Sequence, residues 1–134
     1  MEKEEGNSGL DLVYTIREEM GDSMPIDIWY EGEVFVFRPF GRIDAGHSTD
    51  LDAALTEGVE QGMNQIVIDL TDTLYIASSG LRAIIKAAKA VRNTGGKIVI
   101  CAMNEQVLEV FRLSGLLKVF TTFPDVQKAV RSFQ

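Results

Sequence analysis

The chain of 134 residues has few of the side chains that bind metals or form covalent bridges. It contains one cysteine, Cys101, so an internal disulfide framework is excluded. It also contains one histidine, His47, which leaves too few ligands for a zinc site of the usual kind. Cys101 lies in an apolar run, so we expect an inert core residue. We predict neither a bound metal nor a cofactor.

The sequence also lacks the apolar stretches that membranes and secretion require. There is no run of about 18 apolar residues, the length that a membrane-spanning helix needs. The charged residues 1–5 are not followed by the apolar segment of a signal peptide. We therefore expect a soluble protein of a reducing cytoplasm, without a membrane partner.

Three signatures of common enzymes are missing. Neither phosphate-binding glycine motif occurs (Gly-x-x-x-x-Gly-Lys-Ser/Thr or Gly-x-Gly-x-x-Gly), and the Gly-x-Ser-x-Gly turn of the α/β hydrolases is absent. His47 and Ser78 are residue types that serve as base and nucleophile, but the sequence offers no orienting partner for them. We predict that the protein is not an enzyme and keep hydrolysis by this pair as the least favoured alternative.

Acidic residues are in excess, giving a formal net charge of −7, but they are unevenly distributed. Residues 1–23 hold seven acids and two bases, whereas residues 24–134 hold 13 acids and 11 bases. Binding to phosphate backbones needs a basic face, so this balance argues against a nucleic acid partner. We divide the chain into an acidic N-terminal extension, residues 1–23, and a nearly balanced domain, residues 24–134.

Within the extension, the polar residues 1–9 are predicted to be disordered. Residues 10–20 fit one face of a helix and also alternate as a strand does, and of the two we favour the helix.

Strand and helix patterns alternate along the domain. The predicted strands are residues 26–30 and 34–37, joined as a hairpin, then 65–70, 97–102 and a short one at 119–120. The predicted helices are residues 48–62, with Ser48 or Thr49 as the cap, then 79–93, 105–114 and 125–133. Such alternation indicates an α/β domain with a mixed, mostly parallel sheet of four to five strands and about four helices.

Residues 77–81, Ala-Ser-Ser-Gly-Leu, stand at the junction of the third predicted strand and the second helix. Sites in α/β sheets gather at the carboxyl ends of strands. The first turn of a helix offers unpaired N–H groups and a positive dipole end, which would stabilise a phosphate on a serine there. The alternative is structural: Ser79 caps the helix and Ser78 fills the turn.

The second helix carries four cations and no acid. They are Arg82, Lys86, Lys89 and Arg92. One interpretation is a solvated face whose late cations complement the helix dipole. The other is a docking face for an acidic partner beside the serines, which the acidic extension could cover.

Four segments together carry a resemblance to a known family. They are Gly41-Arg42-Ile43-Asp44, residues 68–76 leading into residues 78–81, residues 95–101 and residues 110–116. Over residues 25–133 the chain resembles the STAS domain of the bacterial anti-sigma factor antagonists. The resemblance implies a mixed sheet with helices, no catalytic activity and regulation by exchange of partners.

In that family the unphosphorylated antagonist binds an anti-sigma factor that is also a serine kinase, and so releases the sigma factor. The resemblance implies that this kinase phosphorylates Ser78 and that a serine phosphatase reverses the step. Asp44 matches the aspartate of the family's partner-facing loop. Two positions differ from the family pattern, since Ala77 replaces an aspartate and Arg82 replaces a glycine.

We therefore predict an anti-sigma factor antagonist that is switched at Ser78. The predicted partner-binding residues are Asp44, His47, Ser48, Ser79, Gly80, Arg82 and Lys86. A homodimer is left open. The alternative, which Ala77 favours, is a STAS scaffold in a larger complex that is never phosphorylated.

Overall fold

The computed structural model describes residues 2–4, 13–16 and 24–134, the first two stretches by their backbone alone. The strands are β1 (Glu2–Glu4), β2 (Val13–Ile16), β3 (Ile26–Glu31), β4 (Val34–Pro39), β5 (Gly41–Ile43), β6 (Gln65–Asp69), β7 (Thr73–Ile76), β8 (Lys97–Cys101) and β9 (Thr122–Phe123). The helices are α1 (His47–Glu60), α2 (Ser78–Arg92), α3 (Glu105–Leu113) and α4 (Val126–Arg131), with a short 3₁₀ turn at Leu116–Lys118.

The described strands form one large sheet and one small one. The large sheet has the order β1-β2-β3-β4-β6-β8-β9, antiparallel from β1 to β4 and parallel from β4 to β9. Residues 24–134 supply five of its strands, with three parallel pairings among four, so the predicted mixed, mostly parallel sheet with four helices is confirmed. Strands β5 and β7 form a separate parallel pair.

Apolar side chains cover both faces of the large sheet, as its continuous apolar strands predict. Ile66 and Ile68 of β6 point into the larger core, which α1, α2 and α3 complete. Val67 between them packs into a smaller core with Val99 of β8 and Ala129 of α4. Each fully buried aliphatic side chain contributes about 1.5–3 kcal/mol, so these layers hold the helices firmly on the sheet.

The helix favoured for residues 10–20 is wrong where the chain is described, because residues 13–16 form β2 beside β3. Without β2, the edge of β3 would expose unpaired backbone N–H and C=O groups. Residues 13–16 pair with these groups as a strand, whereas a helix in their place would leave them unpaired. Residues 2–4, predicted to be disordered, form β1. The rest of both predictions lies outside the described residues. Both strands lie at the β3 edge, whereas α2 packs mainly on α1, β7 and β8, so the described extension does not cover the cationic helix.

One further prediction is wrong, and one pair of strands was missed. Residues 119–120, predicted as a strand, instead follow the 3₁₀ turn that ends at Lys118, because Leu116 and Phe120 both insert into the core after Gly115 reverses the chain in the left-handed region (φ 81°). The pair β5 and β7 was not predicted at all, since each strand has only three or four residues.

Candidate functional site

The small sheet, rather than the large one, positions the serine junction. Strand β7 lies between β6 and α2, which corrects the prediction that the serines directly follow the strand at 65–70. The N–H of Ala77 donates to the carbonyl of Ile43 at the end of β5, at 2.8 Å. Ala77 has extended backbone angles and is the N-cap residue of α2, so Ser78 is the first residue of the helix.

The two serines differ in what their hydroxyls do. Ser79 is half-buried, and its hydroxyl is hydrogen-bonded at 2.8 Å to that of Ser48 in the first turn of α1. Ser48 is only 5% exposed and also donates to the carbonyl of Ala45. Ser78 is exposed, and its hydroxyl has no hydrogen-bond partner among the residues described. The alternative in which Ser79 caps α2 is therefore wrong: Ser79 links the two helix starts, and Ser78 carries the available hydroxyl.

Gly80 is buried where the first turn of α2 meets the small sheet. A Cβ atom at this position would lie 2.8 Å from Cγ2 of Ile43 and 2.8 Å from Cγ1 of Ile76, which is too close for carbon atoms. The absence of a side chain thus lets α2 approach β5 and β7 and fixes the height of Ser78 above them.

The loop from β5 to α1 is held by hydrogen bonds of Asp44 and His47. The N–H of His47 donates to Oδ1 of Asp44 at 2.9 Å, and Nδ1 of His47 donates to the carbonyl of Arg42 at 2.9 Å. Gly46 is the N-cap residue of α1 and provides no side-chain cap, so the predicted cap by Ser48 or Thr49 is wrong. Within the described residues, no hydrogen bond joins Ser78 to His47.

The hydrogen bond to Asp44 predicts how the stability of the fold depends on pH. Hydrogen bonding from the His47 N–H holds the pKa of the Asp44 carboxyl below its usual value, so its contribution to stability is present above the unfolded pKa near 3.8 and is lost as the pH falls through the lowered value. We expect Asp44→Ala to lower the melting temperature at neutral pH and to have little effect in strong acid, as measured by circular dichroism. Asp44→Asn keeps an acceptor oxygen, so it should lower the melting temperature at neutral pH by less than Asp44→Ala does. An equal loss for Asp44→Ala at both pH values would contradict this explanation.

The four cations of α2 are all exposed, but they are not equivalent. Nζ of Lys86 lies 3.0 Å from Oδ1 of Asp52 on α1, which offsets its charge. Arg82, Lys89 and Arg92 have no ion pair within the described residues. Asp52 was not predicted as part of the site, because the sequence gives no sign of a contact across 34 positions.

A groove of about 270 Å³ lies between the starts of α1 and α2. Its lining residues are Ser48, Thr49, Asp52, Ser79, Arg82, Ala83 and Lys86. It thus brings together four of the predicted partner-binding residues. Asp44 and His47 precede it on the loop before α1, and Gly80 lies buried below it.

One exposed apolar side chain near the serines was not predicted. Leu74 of β7 is 59% exposed, and its neighbour Tyr75 lies under the guanidinium of Arg42, whose carbon is 4.5 Å from the ring centre. The side chain of Asn104 donates to the carbonyl of Thr73 and holds α3 against the same strand. In the sequence, Leu74 directly follows the polar residues Thr71, Asp72 and Thr73, a few positions before the serines.

Other side chains do not add to the site. Cys101 is buried, and this burial with the nearby Asp69 raises the pKa of its thiol, in agreement with an inert core residue. Among the residues described, no three metal-binding side chains come together. In the same part of the chain, no helix has the length and apolarity to cross a membrane.

Comparison with known proteins gives consistent results. The family model of the STAS domain matches residues 26–129. BtrV of Bordetella bronchiseptica, which its name assigns to the anti-sigma factor antagonists, is 33% identical over 94 residues, covering 70% of this chain and 81% of BtrV.

Two solved structures share the fold. The crystal structure of an anti-sigma factor antagonist from Mycobacterium paratuberculosis has a TM-score of 0.74 at 20% identity, covering 90% of this chain and 92% of that one. The Bacillus cell fate determinant SpoIIAA, solved in its phosphorylated form, has a TM-score of 0.65 at 18% identity, covering 81% of this chain and 99% of that one.

Proposed function

Because this chain belongs to the STAS domain, anti-sigma factor antagonist family, whose members are regulators and not enzymes, we propose that it acts by exchange of partners. The family implies an anti-sigma factor as partner. In the proposed cycle the unphosphorylated chain binds an anti-sigma factor that is also a serine kinase. Phosphorylation of Ser78 dissociates the complex, and a serine phosphatase restores binding.

The difference between the two serines carries this proposal. A kinase needs a hydroxyl that reaches its active site, and Ser78 is exposed with no hydrogen bond to break within the described chain. Ser79 is half-buried, and its modification would separate α1 from α2. A fold relative, SpoIIAA, has been solved in a phosphorylated form, which supports a phosphorylated state for this fold.

Charge explains how a phosphate at Ser78 would act. A phosphoserine carries about −1.5 to −2 charges at neutral pH. The free N–H groups and the dipole of the first turn of α2 stabilise such a charge. The surface presented to an acidic partner, with Arg82 exposed and Lys86 beyond it, would thereby change sign beside the groove. Like charges facing each other across an interface oppose binding.

Intact-mass spectrometry tests the proposal directly. The purified chain is incubated with ATP and the anti-sigma factor kinase of its own organism, and we expect a single phosphate on the wild type. Ser78→Ala should remain unmodified, and the matched variant Ser79→Ala should still accept the phosphate. A phosphate retained by Ser78→Ala would overturn the assignment.

One observation favours a second candidate function, a scaffold that is never phosphorylated. Ala77 provides no carboxylate beside Ser78, where the family pattern has an aspartate. This scaffold would show no phosphate in the same experiment, in which a family antagonist that has the aspartate serves as the positive control for the kinase. It would bind its partners equally well with or without ATP.

A further inference from the structure

Arg82 stands where it can reach a group attached to Ser78. The two residues are separated by four positions on α2, and side chains at this spacing are neighbours on one helix face. Arg82 is exposed and has neither an ion pair nor a ring contact within the described chain. Lys86, one turn further on, differs because Asp52 already holds it. Of these two cations, Arg82 has its charge uncompensated.

The helix turn that carries Ser78 contributes no acid that would compete for this arginine, and Asp52, which lines the same groove, is already paired with Lys86. The first turn of α2 has no acidic residue, and the N-cap residue is Ala77. A guanidinium offers paired N–H groups that match two phosphate oxygens, which makes arginine a stronger phosphate partner than a point charge.

We propose that Arg82 is the counter-ion of the phosphate on Ser78, a role that rests on the proposed function. In the unphosphorylated chain its guanidinium faces solvent beside the groove and is available to an acidic partner. In the phosphorylated chain it turns back along α2 and pairs with the phosphate. Phosphorylation then changes the docking surface twice: it adds negative charge and withdraws a cation.

Phosphorus NMR tests the pairing without kinase or partner. Phosphoserine is incorporated at position 78 during translation, and the second phosphate pKa is measured by titration of the full chain. Pairing with Arg82 stabilises the dianion, so we expect Arg82→Gln to raise that pKa, with the proton-binding constant increasing about two- to threefold. The phosphate pKa of Arg82→Lys should lie between those of the wild type and Arg82→Gln.

Arg131→Gln is the matched control. It removes an exposed arginine from α4, on the opposite side of the large sheet, and should leave the phosphate pKa unchanged. Equal pKa values in the Arg82→Gln and wild-type chains would overturn the proposal, as would an equal shift in the control.

Partner affinity gives a second readout. If phosphorylation withdraws Arg82 from the docking surface, Arg82→Gln should weaken the unphosphorylated complex and reduce the fold loss caused by phosphoserine. Strictly additive effects would contradict the coupling. Failure of the proposed function can be told apart from failure of the Arg82 pairing. If the proposed function is wrong, the phosphoserine chain binds its partner as well as the wild type does, while the NMR titration still reports on the Arg82 contact.

Discussion

Replacing Ser78 with aspartate is expected to weaken binding to the anti-sigma factor by about 10- to 100-fold, or about 1.4–2.8 kcal/mol. The substitution places one negative charge on the first residue of α2, next to the groove that we propose faces the partner. Like charges brought together at an interface cost several kcal/mol, and an aspartate carries less charge than a phosphoserine. Ser78→Asn has nearly the same shape without the charge, so it should stay within about twofold of the wild type.

Isothermal titration calorimetry at low and moderate salt separates charge from shape. The difference between Ser78→Asp and Ser78→Asn should shrink as salt is added, because screening weakens exposed charges. If both variants weaken binding equally, the loss of affinity comes from the size of the new side chain and not from its charge. Wild-type affinity for Ser78→Asp would favour the scaffold over the switch.

The second large effect concerns stability. Gly80→Ala should destabilise the fold by about 1–3 kcal/mol, since the new methyl group has no space between Ile43 and Ile76. The better helix propensity of alanine returns at most about 1 kcal/mol. Urea unfolding should therefore show a lower midpoint with an unchanged slope. We expect the start of α2 to be displaced by this contact, so partner binding should weaken in the fraction that remains folded.

Gly46→Ala is the matched control. A Cβ on Gly46 has Oδ1 of Asp44 as its nearest neighbour, at 3.6 Å, and its φ of −70° suits any residue. We expect this variant to be neutral or more stable by up to about 1 kcal/mol, because alanine restricts the unfolded chain. A loss equal to that of Gly80→Ala would contradict the packing argument.

Periodicity was sufficient to predict the regular parts of the fold. The hairpin of β3 and β4 was predicted from two apolar runs around Gly32, which adopts the positive φ of 62° that its turn requires. The ends of the four helices were predicted to within about two residues. The signals were the apolar stripes of α1 and α2, the glycines that follow α2 and α3, and Pro124 before α4. The covered sheet was predicted from the run at residues 34–37, which is apolar on both faces.

The parts that depend on distant contacts could not be predicted in this way. The end of β7 is fixed by a hydrogen bond from Ala77 to Ile43, and the two helix starts are joined by Ser48 and Ser79, 31 positions apart. A local pattern contains no information about such pairs. The same limit applies to β2, where the local pattern favoured a helix and pairing with the open edge of β3 decided for a strand.

The sequence proposes the residues of the candidate site but not the physical difference between its two serines. The resemblance distinguished Ser78 from Ser79 only by their distance from a glycine. The structure adds a physical reason, since one hydroxyl links two helices and the other is exposed. It also shows that the charge of Lys86 is offset by Asp52. Of these two cations, Arg82 therefore presents the larger net positive charge to a partner or a phosphate.

The free hydroxyl of Ser78 has a consequence for timing. Because its modification breaks no hydrogen bond in the described chain, the folded domain need not rearrange before a partner senses the new charge. The proposed switch would then have no delay from a rearrangement of the folded domain. Its response time would be set by the turnover of the kinase and phosphatase and by the lifetime of the complex, so a cell could adjust the speed of the signal through enzyme levels alone.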